Sequence, residues 1–286
     1  MGLIYALITA VSATTKDIVS KSLASKVDSD VSTFASFLFA LPFYVVIILV
    51  AILCGGAPLA YGGSFLALVL ARSVSDVFAE GFKMRAFASG DISLVTSFLA
   101  LSPLILAFLS PYITGDKVTA HDYVALGLIV VGSLLLVRRD RDTGKVFQLR
   151  AVVYALLASV AFALNSCFDR LAVVQSGAVV SGFAMTLMAA LFCAPIAFRH
   201  KNAVTQLSLN AKAFFARGAS ETLFMVSKLL AMTVLEAHVV LGISRISLIL
   251  SVLAGKAMFG ERETGRRLLA AGLMYAGLLV LLTAHL

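Results

Sequence analysis

The stretches "ARSVSDVFAEGFKMRA" (71–86) and "ARGASETLFMVSKLLA" (216–231) decide how this chain is read. Each is an apolar run carrying charges at helical spacing. Offset by 145 residues they superimpose, with Arg72 on Arg217, Ser75 on Ser220, Asp76 on Glu221 and Lys83 on Lys228. The register continues without a gap: Asp91 meets Glu236, Ser102 meets Ser247, and Gly115-Asp116-Lys117 meets Gly260-Glu261-Arg262. Thr119 then meets Thr264, Gly127 meets Gly272, and Gly132 meets Gly277. An offset of 149 aligns "YALITAV" from Tyr5 with "YALLASV" from Tyr154, and Lys21 with Arg170. Apolar helices that match by chance share leucines and alanines, whereas shared charges inside apolar runs mark an internal repeat.

The rest of the chain says what solvent the repeat lives in. Of 286 residues, 60% are apolar and 13% charged, with a mean hydropathy of +1.01. A soluble domain carries roughly 25% charged residues, so a water-facing surface cannot be assembled here. Disordered chains are polar and are excluded on the same ground. The long unbroken apolar runs also lack the alternating ~10-residue segments of a membrane β-barrel. The reading is an all-α polytopic membrane protein.

Apolar runs bounded by turn residues predict ten transmembrane helices, at 3–24, 33–53, 64–86, 92–113, 123–137, 149–172, 178–198, 213–234, 239–258 and 267–285. The first run carries Lys16 and Asp17, unlike a cleaved signal peptide, and reads as a span. The charge run "RRDRDTGKVFQLR" (138–150) divides the chain into halves, 1–142 and 143–286, of five spans each within one integrated membrane domain. Five crossings are an odd number, so the second half enters from the opposite side. The halves are therefore inverted repeats about a pseudo-two-fold axis in the membrane plane, an arrangement typical of secondary transporters.

The net charge of +8 is concentrated in alternate connections. Arg138, Arg139, Arg141, Lys145 and Arg150 lie between spans five and six. Arg199, Lys201 and Lys212 lie between seven and eight, and Arg262 and Arg266 between nine and ten. The opposite connections are nearly bare. The positive-inside rule makes the basic loops cytoplasmic and puts both termini outside. Cys54, Cys167 and Cys193 show no disulfide or metal spacing. Nothing in the charge distribution calls for nucleic acid, and no phosphate-cradling glycine loop supplies ATP drive, so no cofactor is expected.

The order of these features resembles the drug/metabolite transporter superfamily, in its ten-helix EamA-type members with two five-helix repeats. The best-matching pieces are "LALSPLILAFLSPYITGDKVT" (99–119) and "LGISRISLILSVLAGKAMFGERET" (241–264), each followed by a Gly-containing span. Ser102-Pro103 and Gly260-Glu261 fit the family pattern. Gly115-Asp116 is a conservative variant, and Leu248 replaces the second proline. The resemblance implies a transporter rather than an enzyme, and termini on the cytoplasmic side, opposite to the charge reading. A bacterial inner membrane is the expected location.

A charge at mid-bilayer costs about 2.5–3.5 kcal/mol even on insertion scales, so intramembrane charges must face one another or a watery cavity. Arg72, Asp76, Glu80 and Lys83 share one face of the third span. Arg217, Glu221 and Lys228 repeat that face on the eighth. Lys16 and Asp17 on the first span, Asn165 and Asp169 on the sixth and Arg245 on the ninth complete the candidate substrate-binding or ion-coupling set. One reading makes Arg72–Asp76 and Arg217–Glu221 intrahelical ion pairs that neutralise each other. The other brings opposed faces together across a central cavity. In that case the cations would hold a carboxylate or phosphate, and Asp76, Glu80 and Glu221 are candidate proton carriers. The expectation is a secondary transporter working by alternating access on a small anionic or zwitterionic metabolite, with a monomer sufficient. The alternatives are a flippase for an anionic lipid or lipid-linked sugar and, further off, an intramembrane enzyme or a structural subunit. His121, His200, His238 and His285 read as interfacial, Ser102-Pro103 as a kink, and the phenylalanines as lipid-facing or packing residues. The paired glycines read as close packing between spans five and ten.

Overall fold

A computed structural model describes residues 1–24, 26–53, 62–90, 92–135, 149–247 and 264–285, and among these every regular element is a helix. The first span is α1 (Gly2–Ala24). The second is α2 (Ser29–Leu38) with α3 (Leu41–Leu53), and the third is α4 (Phe65–Ser89). The fourth is α5 (Ile92–Leu99) with α6 (Ser102–Ile113), the fifth α7 (Ala120–Leu135) and the sixth α8 (Leu149–Ser176). The seventh, α9 (Ala178–Ala197), leads through the short α10 (Ala203–Leu209) to the eighth, α11 (Ala211–Met232). The ninth opens with α12 (Ala237–Ser244), and the tenth is α13 (Thr264–His285). Cys54, Asp91, Leu248, Gly260-Glu261 and most of the 138–150 charge run lie outside the described residues.

The second and fourth spans are broken, and proline chemistry accounts for both breaks. Pro42 and Pro103 each stand in the first turn of the second piece, where a missing N–H leaves no helical bond unmade. Carbonyls at the breaks accept from side chains as well as from the backbone: Thr222 Oγ1 donates to Ala40 O at 3.2 Å, and Ser159 Oγ to Phe98 O at 2.8 Å. Away from water such groups must be satisfied by the protein itself. The kink expected at Ser102-Pro103 is thus a full break.

The spans are inside-out relative to a soluble fold. On α4, Leu66, Leu70, Val74 and Phe78 are exposed at every fourth position, while Arg72, Asp76, Glu80 and Lys83 on the opposite face are buried. Ile4, Leu7, Ile8 and Val11 give α1 the same apolar exterior. Lipid is the solvent for these faces.

Packing between the halves obeys the exchange that inverted repeats require. The first span packs on the eighth (α1 on α11) and the third on the sixth (α4 on α8), and each pair becomes the other when the halves are swapped. The fifth packs on the tenth (α7 on α13), which maps onto itself. At that seam the relation is atomic. A Cβ on Gly132 would sit 2.8 Å from Ala270 O and 2.6 Å from Met274, and one on Gly277 would sit 2.6 Å from Ala125 O and 2.9 Å from Ile129. Gly127 and Gly272 face open space instead, so only half of the glycines expected to pack this seam do so.

Candidate functional site

The charged faces converge on a cavity of about 100 Å³ between the halves. A water needs roughly 10–15 Å³ on this measure, so the space holds several waters. It is lined from α1, α4, α8, α11 and α12, and from the broken fourth span through Leu99 and Ser102. Ten of the twelve candidate residues reach it: Lys16, Asp17, Arg72, Asp76, Glu80, Lys83, Asn165, Glu221, Lys228 and Arg245. Asp169 and Arg217 do not line it. Both are fully buried among the side chains behind the wall.

Two networks organise the lining. In the first, Asp169 accepts from Arg72 Nε at 2.9 Å and from Lys228 Nζ at 2.7 Å. Arg72 also donates to Asp76, whose other oxygen accepts from Asn165 Nδ2 at 2.8 Å. Lys228 donates further to Ser166 Oγ at 3.1 Å. In the second, Glu80 accepts from Lys83 at 2.6 Å and from Arg217 at 3.3 Å, with Lys16 Nζ 3.9 Å away. Lys16 pairs with Glu221 at 3.1 Å. Arg217 reaches across to the second span, donating to Ser32 O at 2.9 Å and Ser32 Oγ at 3.0 Å.

The intrahelical pairing of the first reading therefore holds for Arg72–Asp76 and is replaced for Arg217–Glu221, where each residue finds a partner on another span. Spacing alone made both geometries available. Two other expectations are corrected. Phe162 and Phe224 line the cavity instead of facing lipid, with Lys16 Nζ 4.1 Å from the Phe224 ring centre and Lys83 Nζ 5.6 Å from that of Phe162. A ring face stabilises a desolvated ammonium electrostatically. Their positions held the signal: Phe224 stands three residues after Glu221 and four before Lys228, and Phe162 three before Asn165. His238 is fully buried, not interfacial, because Asp122 of α7 approaches its Nε2 at 3.5 Å. Ser102 both begins α6 and accepts a hydrogen bond from Arg245, so the break is also part of the lining.

The networks repeat across the pseudo-two-fold. Lys16 with Glu221 corresponds to Asn165 with Asp76. Arg217 with Glu80 corresponds to Arg72 with Met225, whose Sδ lies 3.6 Å from the guanidinium. Side chains differ between the copies, and the contacts are kept. Among the described residues, no three His, Cys, Asp or Glu side chains form a metal site.

No curated protein matches the chain at significance. A solved crystal structure shares the fold with a TM-score of 0.74 at 16% identity, covering 98% of this chain and 95% of that one. A profile described as the EamA-like transporter family matches residues 1–138 and again 149–283. With nearly the whole length matched in two successive stretches, the chain belongs to the EamA-like transporter family.

Proposed function

We propose that this membrane transporter carries a small anionic or zwitterionic metabolite by alternating access, the two halves rocking about the charged cavity. The observation that carries the reading is the cavity itself. It lies between the halves and is lined by ionisable side chains from both. An apolar lining would be cheaper at every position, and a buried ion pair is weak evidence for stability; intramembrane ionisable groups are by default functional.

In this reading the eleven charged candidates divide by position. Lys16, Arg72, Lys83, Lys228 and Arg245 present cations to the cavity, and Asp17, Asp76, Glu80 and Glu221 present acids that suit an amine or a proton. Asp169 and Arg217 hold the lining in place from behind. Six cations against five acids leave a small positive excess, which favours a ligand bearing an anionic group. Halves 1–142 and 143–286 act as the two moving units in a bacterial inner membrane, and one chain is sufficient to form the site. A cavity of this size suits a small metabolite better than a lipid-linked head group, so transport is preferred to flipping.

Reconstitution tests the reading. Purified protein in proteoliposomes should accumulate labelled organic anions or zwitterions. Arg72→Gln and Lys228→Gln should each reduce uptake at least tenfold per folded molecule. Uptake unchanged in both variants would remove the charged cavity from the mechanism.

A further inference from the structure

Asp17 and Arg245 stand apart from the networks around them. Every other charged candidate, in the lining or behind it, has an ion-pair partner: Arg72, Asp76, Asp169 and Lys228 in one network, Lys16, Glu80, Lys83, Arg217 and Glu221 in the other. Among the described residues, Asp17 forms neither an ion pair nor a hydrogen bond, although it lines the cavity. Among the described residues, Arg245 meets no carboxylate within ion-pair distance either. It donates to Ser102, and its buried Nε has no partner. Asn165 supplies a third unmet group, a buried Oδ1 beside the same space.

The pseudo-symmetry sharpens the contrast. Asp17 corresponds to Ser166 and Arg245 to Ala100, so neither charge has a charged counterpart in the other half. Contacts that repeat are framework, which both conformations of an inverted-repeat transporter need. A ligand is not two-fold symmetric, and groups that recognise it need not repeat. A buried donor or acceptor left unpaired is also costly, and orphans of both kinds facing one cavity describe the ligand's complement.

We infer that Asp17 and Arg245 are the two poles of the ligand site, and that the ligand is a small zwitterion. Its ammonium lies at Asp17 with Asn165 Oδ1 as a further acceptor, and its anionic group lies at Arg245. A simple anion would satisfy Arg245 and leave Asp17 and Asn165 Oδ1 without a hydrogen-bond donor. This inference rests on the transport reading and narrows its substrate class.

Matched probes separate the two. Proteoliposome uptake is measured for L-alanine and 4-aminobutyrate, for propionate and butyrate, and for butylamine. The wild type should move at least one zwitterion at least tenfold faster than its monopolar counterparts. Asp17→Asn should lower that uptake at least tenfold and relax discrimination against the matching carboxylate. Arg245→Gln should abolish zwitterion and carboxylate uptake alike, and Arg245→Lys should restore part of it. Each rate is normalised to monodisperse protein with a thermal unfolding transition. Wild-type zwitterion uptake in both Asp17→Asn and Arg245→Gln overturns the assignment, as does wild-type protein that moves butyrate as fast as 4-aminobutyrate; the latter leaves transport itself standing. Folded wild-type protein that moves none of the probes overturns both readings.

Discussion

Lys16 meets Glu221 at 3.1 Å across the boundary between the halves, in the position where the other copy sets Asn165 against Asp76 at 2.8 Å. One contact is an ion pair and the other a charge-to-amide hydrogen bond. The geometry has been kept while the chemistry diverged. A contact retained through such divergence belongs to the framework that both halves share.

That correspondence predicts an exchange. Lys16→Gln and Glu221→Gln should each destabilise the protein, because each leaves a buried charge with less compensation. The double variant should lose less than the sum, with a coupling energy of about 1–3 kcal/mol in denaturant unfolding. Lys16→Asn with Glu221→Asp rebuilds the Asn165–Asp76 chemistry at the Lys16–Glu221 position and should fold. Strict additivity in the cycle would show that the pair is not an energetic unit.

Arg217 is expected to be a folding residue first. It is fully buried, absent from the cavity wall, and tied to Ser32 and Glu80. Arg217→Ala would leave Glu80 with Lys83 and Lys16 alone and release two acceptors on the second span. Removing one partner of a buried pair costs about 3–5 kcal/mol. Yield of monodisperse protein and its thermal midpoint should fall sharply, and Arg217→Lys should recover little, because one ammonium cannot span both partners as the guanidinium fork does.

The spans were legible from sequence because lipid demands long apolar runs, and the repeat was legible because charges inside those runs are rare. Partner choice was not. Arg217 and Glu221 are four residues apart on one helix, a spacing that suits a pair, yet each is drawn to another span. Lys16 and Ser32 are invisible as partners until the halves are folded together. His238 looked interfacial because it is two residues from Glu236 at the start of a span. Its burial is decided by Asp122, more than a hundred residues away. That Asp17 and Arg245 lack an ion-pair partner among the described residues was equally hidden, since such a lack is defined only after the neighbours have chosen theirs.

The seam between the fifth and tenth spans gives a prediction in pairs. Gly132→Ala and Gly277→Ala place a methyl against backbone carbonyls of the facing helix, which cannot retreat without moving the helix. Each should destabilise by about 1–3 kcal/mol, the usual range for overpacking. Gly127→Ala and Gly272→Ala meet nothing and should be neutral or gain up to about 1 kcal/mol from helix propensity. Thermal unfolding of the four variants in detergent checks the pattern; equal losses at all four sites would mean that close approach at the seam is not what matters.

The two ends of the fold offer a contrast between histidines. At one end His200 lies 3.4 Å from Asp28 and 3.3 Å from Asp30, with its side chain 36% exposed. At the other, His238 lies 3.5 Å from Asp122 and 3.7 Å from Glu236, and both His238 and Asp122 are fully buried. Each links one half to the other, but solvent screens only the first. His200→Ala should therefore change stability by no more than about 1 kcal/mol, as exposed pairs do. His238→Ala should cost about 1–3 kcal/mol, because a buried polar contact to Asp122 would be lost without water to replace it. Asp122 also accepts from the Thr119 backbone at 2.8 Å and the Thr119 hydroxyl at 2.9 Å. Asp122→Asn keeps an oxygen for Thr119 and should be milder than Asp122→Ala, which loses both bonds. The ordering to expect in equilibrium unfolding is His200→Ala least affected, then Asp122→Asn, then Asp122→Ala and His238→Ala. If His200→Ala proved as damaging as His238→Ala, burial would not be what sets the strength of these links.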